Sequence, residues 1–306
     1  MKRYNYILIL FSLLIVSRVS SSAQVKATVI TRNFEKRFTM SGNSALIINT
    51  ERGIISVKGW DSSVVKVVLK LVSKNIDPKI ARKELEYMSY SITKIRYSVF
   101  ITNSMTLPQT NQEISSVILA EYEIFVPIKT EIRVNDQFGK LEIENVQGFL
   151  FGELKYSDLS LNRKSGNINL IITIGDFNCS KSQINGILKT RHSNISINET
   201  SGRLQLETDY GTLRLAYGNE PLRFGIQSNA TDIFIEHSNC YPLELDLTGT
   251  YCPLKISDNC YTPKKIFLQS NYQPDSDQNE WKLIYLPPDK TTRLKISAKF
   301  GTLNLF

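Results

Sequence analysis

Three stretches decide the fold: Phe138-Gly139-Lys140-Leu141-Glu142-Ile143, Tyr210-Gly211-Thr212-Leu213-Arg214-Leu215 and Phe300-Gly301-Thr302-Leu303-Asn304-Leu305. Each is a glycine followed by a short alternating strand. The glycines stand 72 and 90 residues apart, and both gaps are multiples of 18. Between the first two copies, turn-type residues recur at Gly148, Asp158, Gly166, Gly175, Gly186, Asn194 and Gly202, a mean interval of 9 from Gly139 to Gly211. A turn residue followed by apolar-x-apolar repeats through Leu159-Ser160-Leu161, Ile168-Asn169-Leu170, Phe177-Asn178-Cys179, Ile195-Ser196-Ile197 and Leu204-Gln205-Leu206. Alternation puts both apolar side chains on one face of the strand. Two such strands close a coil over a narrow core, and stacked coils pair their backbones about 4.8 Å apart. The expected fold is therefore all-β: a β-solenoid, right-handed β-helix-like, with about 18–20 residues per coil. Gly, Asp and Asn are expected at its corners, where the backbone angles are unusual.

Outward from this region the signals weaken. Residues 1–23 read as a signal peptide: Lys2 and Arg3, an apolar run from Ile7 to Val16, then Ser21-Ser22-Ala23 before Gln24. Residues 24–130 read as a β-rich part continuous with the solenoid, which fills 131–306. Strands are expected at 45–49, 53–57, 64–72, 92–102 and 118–126, with a turn at Gly59-Trp60-Asp61 and a loop over 104–115. One short helix is expected at about 77–90. Asp77 is its N-cap, Pro78 its first residue, and Ile80, Ala81, Leu85 and Met88 its buried face. Six prolines from Pro242 to Pro288 make the last third less regular.

Composition bounds the partners. Without residues 1–23 the chain carries 34 basic and 29 acidic residues, spread rather than clustered. A nucleic-acid stripe needs clustering, so none is expected. No transmembrane segment is expected after signal removal. Of the four cysteines, Cys179 holds an apolar strand position and reads as a buried free thiol. Asn239-Cys240-Tyr241 returns as Asn259-Cys260-Tyr261, one 20-residue coil later, which predicts a Cys240–Cys260 disulfide. Ligand spacing for zinc is absent, and no metal or cofactor is expected.

No catalytic motif is present. His192 and His237 read as loop histidines. Asp158, Asp176, Asp209 and Asp232 are the carboxylates a polysaccharide-cleaving solenoid would cluster, but three of them lie at or beside expected corners, where Asp has a backbone role. The expectation is a protein that is not an enzyme. Tyr241, Tyr251 and Tyr261 recur every ten residues and are the candidate ligand-contact aromatics, against a plain stacking ladder.

The chain resembles the "putative adhesin" domain family, exported bacterial β-solenoid domains of unknown function. The likeness rests on Gly53-Ile54-Ile55-Ser56-Val57-Lys58-Gly59-Trp60-Asp61, on Tyr122-Glu123-Ile124-Phe125-Val126-Pro127, and on the G-x-L-x-L units from Gly139 to Leu215. It implies an exported protein of a bacterial envelope, in the periplasm or at the cell surface, and brings no functional residues. Three functions follow as expectations. The first is adhesin-like binding of glycan or protein through a solenoid face. The second is a periplasmic envelope-stress or scaffolding role with a protein partner. The third is a polysaccharide-active enzyme.

Overall fold

The 18-residue step is written into the pairing register. The computed structural model describes residues 27–40, 44–107, 113–217, 222–237, 243–256, 267–270, 280–285 and 292–306. The chain is all-β with one short helix. Its first part runs β1 (Thr28–Thr39), β2 (Ala45–Glu51), β3 (Gly53–Trp60), β4 (Val64–Asn75), the helix Pro78–Glu84, a 3-10 turn over Leu85–Tyr87, β5 (Met88–Ile95), β6 (Ser98–Met105) and β7 (Val117–Pro127). The repeats give β8 (Glu131–Gln137), β9 (Lys140–Glu144), β10 (Leu150–Lys155), β11 (Asp158–Asn162), β12 (Ser165–Thr173), β13 (Phe177–Ser180), and the long β14 (Gln183–Asn198), β15 (Ser201–Tyr217) and β16 (Leu222–His237). The last part holds β17 (Leu243–Thr250), β18 (Leu254–Ile256), β19 (Phe267–Ser270), β20 (Glu280–Tyr285), β21 (Thr292–Lys299) and β22 (Leu303–Leu305).

Two parallel ladders run side by side. One takes β2, β8, β10, β12 and the first halves of β14, β15 and β16. The other takes β3, β9, β11, β13 and the second halves of the same long strands. Leu150 pairs with Ile168, Leu159 with Phe177 and Ile195 with Leu213, each a step of 18. From β15 to β16 the step is 20, Gly202 opposite Leu222. The alternating apolar residues face inward: Leu159, Leu161, Ile168, Leu170, Phe177, Ile195, Ile197, Leu204 and Leu206 are all buried. Each such burial contributes roughly 1.5–3 kcal/mol. Antiparallel β1–β4–β7 extends the second ladder at its start, and β5–β6 extends the first.

Several expectations are corrected. The second motif gap does not count ladder steps. Gly211 faces Thr231 at 20, and β21 and β22 then pair with β16, so the third copy lies against it rather than five steps away. β17 and β18 pack on the far side of β21 and β22, so the chain's last strands are interior to the stack. The helix is shorter than 77–90. Asp77 caps it, its carboxylate accepting from Lys79 N–H at 2.7 Å, but Met88 already pairs with Met105. Ile80 faces solvent, and Glu84 is buried instead, its carboxylate accepting the Ser116 N–H at 2.7 Å. The run 92–102 is a hairpin and not one strand, turning at Arg96 with φ 53°. Gly59 and Trp60 end β3, and the turn follows them. Residues 1–23, with Cys240, Cys260, Tyr241 and Tyr261, lie outside the described residues. Among the described residues no helix is long and apolar enough to cross a membrane.

Candidate functional site

Where the two ladders meet, the rungs turn through a non-glycine residue with positive φ, followed at Gly211 and Gly301 by a glycine that is also positive, at 135° and 78°. On one corner these residues are Arg52, Phe138, Tyr156, Ile174, His192, Tyr210, Ala230, Phe300 and Tyr251, with φ between 47° and 58°. Register links them into one column. Phe138 N–H reaches the Lys155 carbonyl, Tyr156 N–H the Thr173 carbonyl, and Ile174 N–H the Arg191 carbonyl. Asp209 and Asn229, then Asn229 and Lys299, pair just before the next members, and Phe300 N–H reaches the Thr250 carbonyl. Nine rungs make eight steps, a strip of roughly 38 Å at about 4.8 Å per step.

Apart from Arg52 at its start and His192 within it, the strip is apolar, and most of it is ringed and solvent-facing. Phe138, Tyr156, Ile174, Tyr210, Tyr251 and Phe300 are 40–53% exposed. Neighbouring rings stack nearly parallel: Phe138 on Tyr156 at 5.0 Å, His192 on Tyr210 at 4.8 Å, Tyr251 on Phe300 at 5.7 Å. Monomeric proteins rarely leave such a continuous apolar feature in water without a use for it.

The position after each corner residue explains the motif glycine. It reads Gly139, Ser157, Gly175, Ser193, Gly211, Thr231 and Gly301 up the stack. A Cβ on Gly175, Gly211 or Gly301 would run into the carbonyl of Ser157, Ser193 or Thr231 on the adjoining rung. The hydroxyls of Ser157, Ser193 and Thr231 donate back across the corner to the carbonyls of Lys155, Arg191 and Asn229 at 3.0, 3.2 and 3.0 Å. Thus glycine is needed here for close approach, while the corner itself is turned by non-glycine residues, contrary to the sequence expectation.

The four aspartates each accept a hydrogen bond from a neighbouring rung. Asp158 and Asp176 do stack, but each accepts from the next rung: Asp176 N–H to Asp158 at 2.8 Å, and Asn194 N–H and Nδ2 to Asp176 at 3.2 and 3.1 Å. Thr302 Oγ1 donates to Asp232 at 2.8 Å, and Asn229 Nδ2 to Asp209 at 2.7 Å. His192 is a rung of the ring strip. Among the described residues no cluster of histidine, cysteine and carboxylates could hold a metal. Cys179 and Cys252 are buried free thiols, and burial pushes Cys252 up to about 11. Of the three candidate tyrosines, Tyr251 joins the strip. The other strip residues were missed, although Phe138, Tyr210 and Phe300 open the three motif copies.

Beside the strip, over its upper rungs, lies a groove of about 400 Å³ lined by Lys189, Arg191, Glu207, Asp209, Asn229 and Lys299 among others. Lys189 pairs with Glu207 at 2.7 Å. Arg191 and Lys299 have no carboxylate partner among the described residues.

No protein-family model and no curated protein matches the chain. Solved structures resemble it at low identity. One is described as a putative adhesin from Bacteroides fragilis, 11% identical over 91% of this chain and 97% of that one, with a TM-score of 0.46. Another is described as a putative cell adhesion protein from Clostridium sporogenes, 12% identical over 90% and 99%, TM-score 0.23. A third is described as a putative lipid binding protein from Parabacteroides distasonis, 8% identical over 90% and 96%, TM-score 0.33.

Proposed function

We propose that the two ladders are the faces of solenoid coils, and that the chain is an exported, non-enzymatic, adhesin-like envelope protein that binds an extended glycan along its ring strip. One observation carries this reading: the fold has a second corner with the same backbone and no rings. Asn145, Arg163, Lys181 and Glu199 turn that corner at φ 44–56°. Corner geometry therefore tolerates polar side chains and does not call for aromatics.

Energetics point the same way. The left-handed conformation costs an ordinary residue about 1–2 kcal/mol, and Gly or Asn much less. An aromatic pair returns about 0.5–1.5 kcal/mol beyond the area it buries. Stacking thus roughly cancels strain, and the fold gains little from rings that stay half exposed. A ligand gains more. Aromatic faces offer rigid, amphipathic area for the C–H faces of sugars, and repeated modest contacts add along a polymer.

The test is retention on a panel of immobilised bacterial and host polysaccharides. The wild type should be retained by at least one. A Phe138→Asn, Tyr156→Asn, Tyr210→Asn triple variant should fold with an unchanged melting temperature, within a few degrees, and lose retention. Equal retention of both proteins, or none of the wild type on any polysaccharide, refutes the reading.

A further inference from the structure

The strip has one unfilled rung. Ile174 fills the space between Tyr156 and His192, but Ala230, between Tyr210 and Phe300, carries only a methyl. His192–Tyr210 and Tyr251–Phe300 each stack along the strip, so Tyr210 and Phe300 turn their free faces toward each other across Ala230. Two ladder steps separate them, about 9.6 Å. A ring in van der Waals contact on both faces needs roughly 7–8 Å between the flanking planes. The remainder suits a puckered pyranose better than a flat ring.

The groove opens at this slot, because its lining residues immediately precede the corner on the same rungs. Two of its cationic side chains, Lys299 and Arg191, have no carboxylate partner among the described residues. Lys299 stands one rung from Ala230 and Arg191 two rungs away on the other side. Glu207 is matched by Lys189, while Asn229 donates to Asp209 without cancelling its charge, so the lining carries three cations against two carboxylates and a net positive charge. Charge complementarity then selects an anion, and a guanidinium with an ammonium suits carboxylates.

Resting on the glycan-binding reading above, we propose that the slot over Ala230 is a subsite for a carboxylated pyranose of an acidic polysaccharide. The sugar ring lies between Tyr210 and Phe300. Its carboxylate meets Lys299, and that of an adjoining residue along the polymer meets Arg191.

The probe is hexagalacturonate, compared with the same oligomer after carboxyl reduction and with a sulfated dextran, by titration calorimetry on the full exported chain. Two variants accompany the wild type: Ala230→Phe, which fills the slot at a position where Phe138 and Phe300 already show the backbone accepts a ring, and the surface change Lys299→Gln. The proposal expects hexagalacturonate to bind at least tenfold more tightly than its reduced form. It also expects each variant to lose about tenfold or more, with Lys299→Gln flattening the salt dependence. If the reduced oligomer binds as well and Ala230→Phe binds like wild type, the subsite is refuted while the ring strip stands. Tighter binding of sulfated dextran, unaffected by Ala230→Phe, means charge attraction alone and also refutes it. If neither oligomer binds and the panel above retains nothing, both readings fall. Should Ala230→Phe not fold, Lys299→Gln alone decides between them.

Discussion

Lys164 is fully buried in the stack, and its behaviour with pH can be worked out. It follows the left-handed Arg163 on the ring-free corner, where other rungs carry Val146, Ser182 and Thr200. Its ammonium donates to the Gly148 carbonyl at 2.7 Å and to the Ser165 carbonyl. Among the described residues no carboxylate accompanies it there, and burial lowers its pKa from 10.5 to about 8. The unfolded chain therefore holds this proton more tightly than the folded one. Between pH 8 and 10.5 the unfolded state carries more protons, so stability rises with pH across that window and is lowest below it. The full span is worth roughly 3 kcal/mol at about 1.4 kcal/mol per unit. The perturbation is Lys164→Met, similar in length and without a charge. The assay is urea unfolding of both proteins at intervals from pH 7 to 10.5, taking the difference between them so that other titrating groups cancel. The wild type should gain on the variant by roughly 3 kcal/mol across the window. A difference that stays flat, within about 0.5 kcal/mol, would show that the amine titrates normally and is not desolvated as described.

Other consequences follow from the same physics. Asp136 is buried, accepts from Thr50 Oγ1 at 2.5 Å and leaves Oδ2 without a partner. Burial raises its pKa, so its contribution is most favourable in acid and is lost as pH climbs from the ordinary aspartate value through the raised one. Asp136→Asn should be at least as stable as wild type at pH 7, by urea midpoint, and should lack that part of the pH dependence; a loss above about 2 kcal/mol contradicts this. Gly211→Ala should lower the melting temperature by roughly 5 °C or more, because φ is 135° and the new Cβ meets the Ser193 carbonyl, whereas Ser157→Ala should cost far less. In native protein at pH 8, Cys179 and Cys252 should resist iodoacetamide and react only after unfolding, read by peptide mass; prompt labelling of either disagrees with its burial.

What was legible in the sequence is the period. Turn residues at a mean interval of 9 become two ladders with steps of 18 and 20, and glycine at Gly175 and Gly211 answers a steric demand that recurs on every second rung, with Ser157 and Ser193 on the rungs below them. The inward face was legible for the same reason: alternation leaves no freedom about which side of a strand is apolar. The strained column was not. Propensity points to Gly and Asn for positive φ, and here Phe138, Tyr156, His192 and Tyr210 take it, one or two residues before the turn signals. The hairpin at Arg96-Tyr97 escaped because neither residue is a turn former. The last third escaped for another reason. β21 and β22 insert between β16 and the pair β17 and β18, and non-sequential order leaves no periodic trace. The ten-residue rhythm of Tyr241, Tyr251 and Tyr261 is not that of the strip, whose 18-residue spacing runs only from Phe138 to Tyr210; Tyr251 joins it through the pairing of β17 with β21.

The measurement that tests the ring strip most directly is hydroxyl-radical footprinting of the protein with and without a retained polysaccharide, read residue by residue by mass spectrometry. Binding along the strip predicts protection of Phe138, Tyr156, His192, Tyr210, Phe300 and Tyr251 together, with Tyr97 and the ring-free corner unchanged. Protection centred elsewhere, with these six rings as reactive as in the free protein, would contradict it.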